Sequence, residues 1–243
     1  MNWVAKGWWW FLDYLWALRG QWRGLLRPRA PHRFGEGDPA LPTVVLIPGV
    51  YERWSFLAPV ADHLNERGHR ILTLPGLRDN RMPVLDAAEA SAAALIVDAQ
   101  RSDAERRYVL LGHSKGGLIG KLLLGGTMHS GTMPPILGLV AIATPFTGSR
   151  YARRLPSRTL RGLSPVDDTI RMLARNAEIN ARVVAIQPRF DPHIPGDRSL
   201  PGAENVVLRA SGHFRILGRP ETFRVVHEAI ERLAGGAGGP ARQ

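Results

Sequence analysis

The chain has 243 residues, 44% hydrophobic and 22% charged, enough for one substantial core and ordinary for a globular protein. It contains no cysteine, so disulfides, thiolate zinc sites and cysteine nucleophiles are excluded, and a reducing compartment is compatible. Thirty-two basic against 21 acidic residues give +11, which favours anionic partners, but the basic residues are almost all arginines spread along the chain without a nucleic-acid-binding motif, so no nucleic-acid partner is expected.

The first predicted element spans residues 1–27 and holds six of the seven tryptophans. Val4, Trp8, Phe11, Leu15, Leu18 and Trp22 recur at spacings of four and three, which places them on one face of a helix. Lys6, Asp13 and Arg19 interrupt the apolar character, and the stretch falls short of the roughly 20 apolar residues that a spanning helix needs. The reading is therefore an interfacial helix that lies on a membrane, because tryptophan and tyrosine favour the headgroup region. Arg19, Arg23, Arg27, Arg29 and Arg33 follow, and each near an anionic surface adds about 1 kcal/mol. Residues 1–33 are thus expected to meet an anionic membrane, the competing reading being a helix docked on its own domain or in a dimer interface. Asp13 inside the apolar run and the lack of a small-x-small site argue against a cleavable signal peptide. The expected location is cytoplasmic, peripheral on a membrane.

Residues 28–42, rich in proline, glycine and charge, read as a linker. Thr43 to Ile47 is a continuous apolar run suited to a strand buried on both faces, and it ends in Pro48-Gly49-Val50-Tyr51-Glu52. A helix over Trp54 to Arg67 follows, then a strand over Arg70 to Leu74 and a helix over Val84 to Gln100. Tyr108 to Leu111 is the third strand, with a helix-compatible run from Leu118 after it. Gly138 to Ala143, Arg182 to Gln187 and Asn205 to Arg209 are the fourth, fifth and sixth strands, Glu221 to Leu233 a closing helix, and 234–243 a flexible tail. Strands alternating with helices, with no hairpin signal, mean a parallel sheet of about six strands covered on both faces. In such a sheet reactive groups gather at the C-terminal ends of the strands.

After the third strand stands Gly112-His113-Ser114-Lys115-Gly116-Gly117. In this Gly-x-Ser-x-Gly turn the glycines leave room for a strained backbone that pushes the Ser114 hydroxyl out at a helix N-terminus, where free amides favour developing negative charge. Asp191 follows the fifth strand and His213 the sixth. A serine hydroxyl needs an imidazole to take its proton, and the imidazole needs a carboxylate to hold its tautomer. Asp167 and Asp168, beyond the fourth strand, are the rival acids, with helix capping as their plain role. His193 is read as an exposed loop residue within reach of substrate, His113 as buried and hydrogen-bonded, and His63, His69, His129 and His227 as solvated. No cluster of His, Asp and Glu has metal-ligand spacing, so no metal or cofactor is expected.

Pro48-Gly49-Val50, the Ser114 turn, Asp191 with Pro195, Gly212-His213, and Ala143-Thr144-Pro145-Phe146-Thr147-Gly148-Ser149 together resemble an α/β-hydrolase of the lipase/esterase (triacylglycerol-lipase-like) branch over residues 43–233. That resemblance implies a Ser114-Asp191-His213 triad, an acyl-enzyme, and an oxyanion hole from the backbone N–H groups of Val50 and Lys115. It implies substrate contacts from Tyr51, Phe146 and His193, and a short basic cap over about 147–180 bearing Arg150, Arg153, Arg154, Arg158 and Arg161. Lys115, where methionine or glutamine is usual, would attract an anionic substrate or point along its helix. No antiparallel strands precede the core, so a compact, parallel-only version is expected. The implied substrates are lipid acyl esters. A soluble thioesterase or small-ester hydrolase, and a catalytically silent membrane-binding or scaffold protein, stay open.

Overall fold

A computed structural model describes residues 3–26, 30–101, 105–127, 133–152, 157–194 and 198–236. Arg27, Arg29, His129, Arg153, Arg154, Pro195 and residues 237–243 lie outside these, as do the side chains of Val4, Lys6 and Arg158. The centre is a six-stranded sheet in the order β2-β1-β3-β4-β5-β6, with every neighbouring pair parallel. Its strands are β1 (Thr43–Ile47), β2 (Ile71–Thr73), β3 (Tyr108–His113), β4 (Ile136–Ile142), β5 (Val183–Gln187) and β6 (Glu204–Val207). β1, β3 and β5 are buried at every position, as continuous apolar runs between two helical layers should be. Alternate side chains feed two cores. Val45, Ile47 and Leu110 face α3 (Val84–Gln100) and α4 (Lys115–Thr127), whereas Val44, Leu46 and Leu111 face α2 (Ala58–Asn65) and α7 (Pro220–Gly236).

The order of the strands fixes where a site can form. The chain adds β2 on one side of β1 and then returns to add β3 on the other, so the direction of winding reverses between β1 and β3. A crevice opens at such a switch point, outside the carboxyl ends of the strands. Ile47, the last residue of β1, is paired with Gly112, which brings the loop after β1 beside the turn that holds Ser114. Between β4 and β5 the cap region carries α5 (Arg158–Arg161) and α6 (Asp168–Arg175).

Several boundaries differ from those read in the sequence. The helix expected from Trp54 begins as a separate 3-10 turn, Trp54–Phe56, and α2 starts only at Ala58. Pro59 has no N–H and is tolerated only in the first turn of a helix, so the helix must begin just before it. The expected linker packs down: Phe34 is buried and its ring meets Trp54 edge-on at 5.9 Å. β6 is the exposed edge, and α7 runs to Gly236 rather than Leu233.

The N-terminal helix α1 (Trp3–Leu26) docks on the domain against the 3-10 turns Trp54–Phe56 and Arg215–Gly218. Its docking side combines Trp16, whose ring meets Phe56 at 6.1 Å, with glycines that allow close approach. A Cβ on Gly20 would stand 3.0 Å from the Phe56 ring, and one on Gly24 would stand 2.9 Å from Ser55 Oγ. The predicted stripe of Trp8, Phe11, Leu15, Leu18 and Trp22 points the other way and is exposed. No helix among the described residues is long and apolar enough to cross a membrane.

Candidate active site

Ser114 stands alone between the end of β3 and the start of α4, at φ 52°, the left-handed region that non-glycine residues avoid. Its N–H donates to the Ile142 carbonyl at 2.9 Å, and its own carbonyl accepts from Gly117 N–H at 3.1 Å. The flanking glycines are required by close approach. A Cβ on Gly116 would fall on the Ile47 carbonyl, and one on Gly112 would lie 2.6 Å from the Gly116 backbone. The Gly-x-Ser-x-Gly spacing is therefore the packing condition under which α4 can start directly against β1.

Asp191 and His213 lie on the loops after β5 and β6, and both are buried. His213 Nδ1 donates to Asp191 Oδ2 at 2.9 Å, while Asp191 Oδ1 accepts from the backbone N–H groups of His193 at 2.8 Å and Ile194 at 3.1 Å. A carboxylate in this position only accepts, so the proton of the neutral ring sits on Nδ1 and leaves Nε2 as a free base. Burial alone would raise the Asp191 pKa, but the His213 charge and the donated hydrogen bonds outweigh it and the net shift is downward. For His213, burial alone would lower the pKa; Asp191 outweighs it, helped by Asp13 and Glu52, and the net shift is upward.

Ser114 and His213 line one cavity of about 680 Å³, a volume that suits a small organic ligand. Its walls are mostly apolar and come from separate segments of the chain: Val50 and Tyr51 after β1, Leu160 and Leu163 from the cap, Trp10 and Leu18 from α1. Val50 faces it from the loop where the oxyanion donor is expected. Lys115 is the first residue of α4, where backbone N–H groups have no acceptor within the helix. Tyr51 lies on the wall and its hydroxyl donates to Ser157 Oγ at 2.7 Å, tying the first loop to the cap. His193 also lines the cavity, but it is not the exposed loop residue expected: its ring packs 5.0 Å from Trp10 and 5.0 Å from His213. Burial, followed by the His213 charge, pushes its pKa down to about 3.

Other candidates fall elsewhere. Phe146 is buried in the core with Lys121 Nζ 5.9 Å from its ring centre; its neighbour Pro145 lines the cavity instead. Asp167 caps α6 by accepting from Thr169 N–H at 2.9 Å, and Asp168 lies exposed on that helix. His69, expected to be solvated, is buried, with Nδ1 3.1 Å from the Pro42 carbonyl. Among the described residues no group of three His, Asp or Glu side chains is arranged to hold a metal ion.

Two buried acids that the sequence did not single out for the site hold its loops. Glu52 accepts from Gly49 N–H at 2.8 Å and lies 2.8 Å from His113 Nδ1, while His113 Nε2 lies 3.0 Å from the His213 carbonyl. The loop after β1 is thereby linked through two side chains to the backbone of His213. Asp13 of α1 reaches the same histidine from the other side, accepting from its backbone N–H at 3.0 Å.

No protein-family model matches this sequence, and no curated protein does. Solved structures do resemble it. The mature form of the lipase BlEst2 of Bacillus licheniformis matches with a TM-score of 0.61 at 17% identity, over 80% of this chain and 94% of that one. Est1E of Butyrivibrio proteoclasticus, in a structure with ferulic acid bound, matches with a TM-score of 0.57 at 14% identity, over 82% and 90%. The peroxisomal alpha-beta-hydrolase Lpx1 of Saccharomyces cerevisiae matches with a TM-score of 0.57 at 10% identity, over 85% and 81%. At these identities the likeness is one of fold.

Proposed function

The chain has the α/β-hydrolase fold, and we propose that it uses that fold as a serine hydrolase of carboxylic esters, with lipid acyl esters as substrates. The observation that carries the reading is the His213–Asp191 hydrogen bond of 2.9 Å on a histidine that shares its cavity with a serine held at φ 52°. Ser114 Oγ attacks the ester carbonyl while His213 Nε2 takes its proton, and Asp191 stabilises the imidazolium that forms. The negative oxygen of the tetrahedral intermediate is received by the Val50 and Lys115 N–H groups, each worth roughly 3 to 4 kcal/mol in such a role. His213 then returns the proton to the leaving alcohol, and a water activated by the same ring releases the acid.

The choice of lipid rests on α1. Its exposed stripe of Trp8, Phe11, Leu15, Leu18 and Trp22 is continuous with the cavity mouth, where Trp10, Tyr14 and Leu18 form the wall. An exposed apolar helical face beside an apolar cavity suits a substrate drawn from a bilayer, and the +11 charge favours an anionic one. Reaction with a fluorophosphonate probe tests the chemistry: the parent should label covalently, and Ser114→Ala and His213→Ala should not. A folded parent that does not label would show a catalytically silent fold. A series of p-nitrophenyl esters should show rates rising with acyl length up to the capacity of the cavity.

A further inference from the structure

The aromatic helix carries one fully buried carboxylate, which faces three backbone amides and has His193 Nε2 3.7 Å from Oδ2. Asp13 Oδ2 accepts from His213 N–H at 3.0 Å, and Oδ1 accepts from Phe214 N–H at 2.9 Å and Arg215 N–H at 3.0 Å. These amides lead into the 3-10 turn Arg215–Gly218, where the first N–H groups have no partner of their own. Gly212 stands at φ +113°, and a Cβ there would meet Asp13 Oδ1 at 2.6 Å, so the loop is a concave row of amides closed around this carboxylate. A carboxylate buried without partners is costly, whereas three charge-assisted bonds to consecutive amides make it a rigid brace.

We propose that Asp13 is a positioning residue for His213, by which α1 fixes the backbone that carries the general base. The proposal rests on the serine-hydrolase reading and extends it to a helix outside the sheet. Asp191 fixes the His213 ring at Nδ1, but the ring hangs from an irregular segment after the exposed edge strand β6. Asp13 holds the N–H side of this segment, while His113 lies against the His213 carbonyl and Gly212 N–H donates to the Phe190 carbonyl at 2.8 Å. The helix also reaches the opposite side of the site: Gln21 Nε2 donates to the Tyr51 carbonyl at 2.6 Å, at a residue with φ 60° beside the expected oxyanion donor. One helix thus touches the base loop and the oxyanion loop eight residues apart.

Asp13 also acts through its charge. The groups facing His213 are Asp191, Asp13 and Glu52, which favour its charged form, and the His113 and His193 rings, centred 4.9 Å and 5.0 Å away. Arg215 lies on the Asp13 side. The acid limb of kcat/KM reports the base of the free enzyme, and His213 must be neutral to act. The limb of the parent should therefore lie above the ordinary histidine value of about 6.5, and removal of the Asp13 charge should move it to lower pH.

The test uses full-length parent, Asp13→Asn and Ser114→Ala, with fluorophosphonate labelling and kcat/KM on p-nitrophenyl butyrate across pH. Asp13→Asn should lower kcat by about ten-fold or more with KM changed less than about three-fold, since small misplacement of a base is costly, and its acid limb should fall. A labelled parent whose Asp13→Asn form has the same plateau rate and the same limb overturns the proposal alone. A parent that does not label, like Ser114→Ala, overturns the serine-hydrolase reading and this proposal with it. Where Asp13→Asn fails to fold, amide exchange of the parent decides: protection of His213, Phe214 and Arg215 matching the core strands supports the brace, and exchange at the rate of an open loop overturns it.

Discussion

Lys115 follows the nucleophile directly, yet its side chain neither lines the cavity nor runs along the helix surface. It is fully buried, and Nζ donates to the Asn80 carbonyl at 2.8 Å and the Met82 carbonyl at 2.6 Å. Asn80 in turn donates from Nδ2 to the Pro48 carbonyl at 2.6 Å, so the lysine anchors the loop after β2 and, through it, the loop of the expected oxyanion donor. An attraction for anionic substrate is therefore not its role. Burial pulls its pKa down to about 7. A lysine whose folded pKa lies below its unfolded value destabilises the folded state fully below the folded pKa, and that cost is relieved as pH rises towards the unfolded value. Relative to Lys115→Met, the parent should therefore gain stability between about pH 7 and 9, by on the order of 1–2 kcal/mol. Urea unfolding of both proteins at the two pH values checks this. A difference that does not change with pH would mean that the two carbonyls hold the ammonium charged throughout.

At the scale of elements, what the sequence revealed depended on the range of the interactions that fix each one. β1, β3 and β5 were legible because strands buried on both faces must be apolar without interruption, and Ser114, Asp191 and His213 because each follows its strand in the parallel order. The edge strand β6 is exposed, so no apolar run marked its ends. Asp13 and Glu52 escaped notice because their partners are backbone amides and another buried side chain; Asp13 and His213 are 200 positions apart. In α1 the apolar period was correct, but a period cannot say which medium covers the stripe. Asp13, which looked like an interruption, lies on the docking face with Gly20 and Gly24, and the stripe faces out. Removing the whole helix would also remove Asp13, so surface changes test the membrane reading more cleanly. Phe11→Ser with Trp22→Ser and Leu25→Ser, all exposed by more than half, should lower sedimentation with anionic liposomes about ten-fold or more, given the area each aromatic buries. Their rate on a soluble butyrate ester should stay within about two-fold of the parent, because none of the three lines the cavity. Unchanged liposome binding would sink the membrane reading and leave α1 as a docked structural helix.

For the molecule as a whole, the question is whether the excess of 32 basic over 21 acidic residues acts together with α1 or merely keeps the protein dispersed. Arg19 and Arg23 share the helix with the stripe, and Arg33 follows on the packed segment after it, pairing with Asp62. Charge near a headgroup surface and rings in the interface contribute by different physics, and salt separates them. Exposed charges act over about 10 Å at 0.1 M salt but only about 3 Å at 1 M, whereas burial of aromatic surface is not screened. Vesicles of phosphatidylglycerol should therefore bind the protein more tightly than vesicles of phosphatidylcholine at about 0.1 M NaCl. Raising NaCl to about 1 M should bring the two together without abolishing binding. Equal binding to both vesicle types at low salt would show that the charge is scattered with respect to the membrane and that the tryptophan stripe acts alone. Loss of all binding at high salt would show the reverse, a surface held by arginine with the rings still in water. Only the intermediate result fits a helix whose docked face sets the base of the site and whose open face brings the cavity mouth to an anionic bilayer.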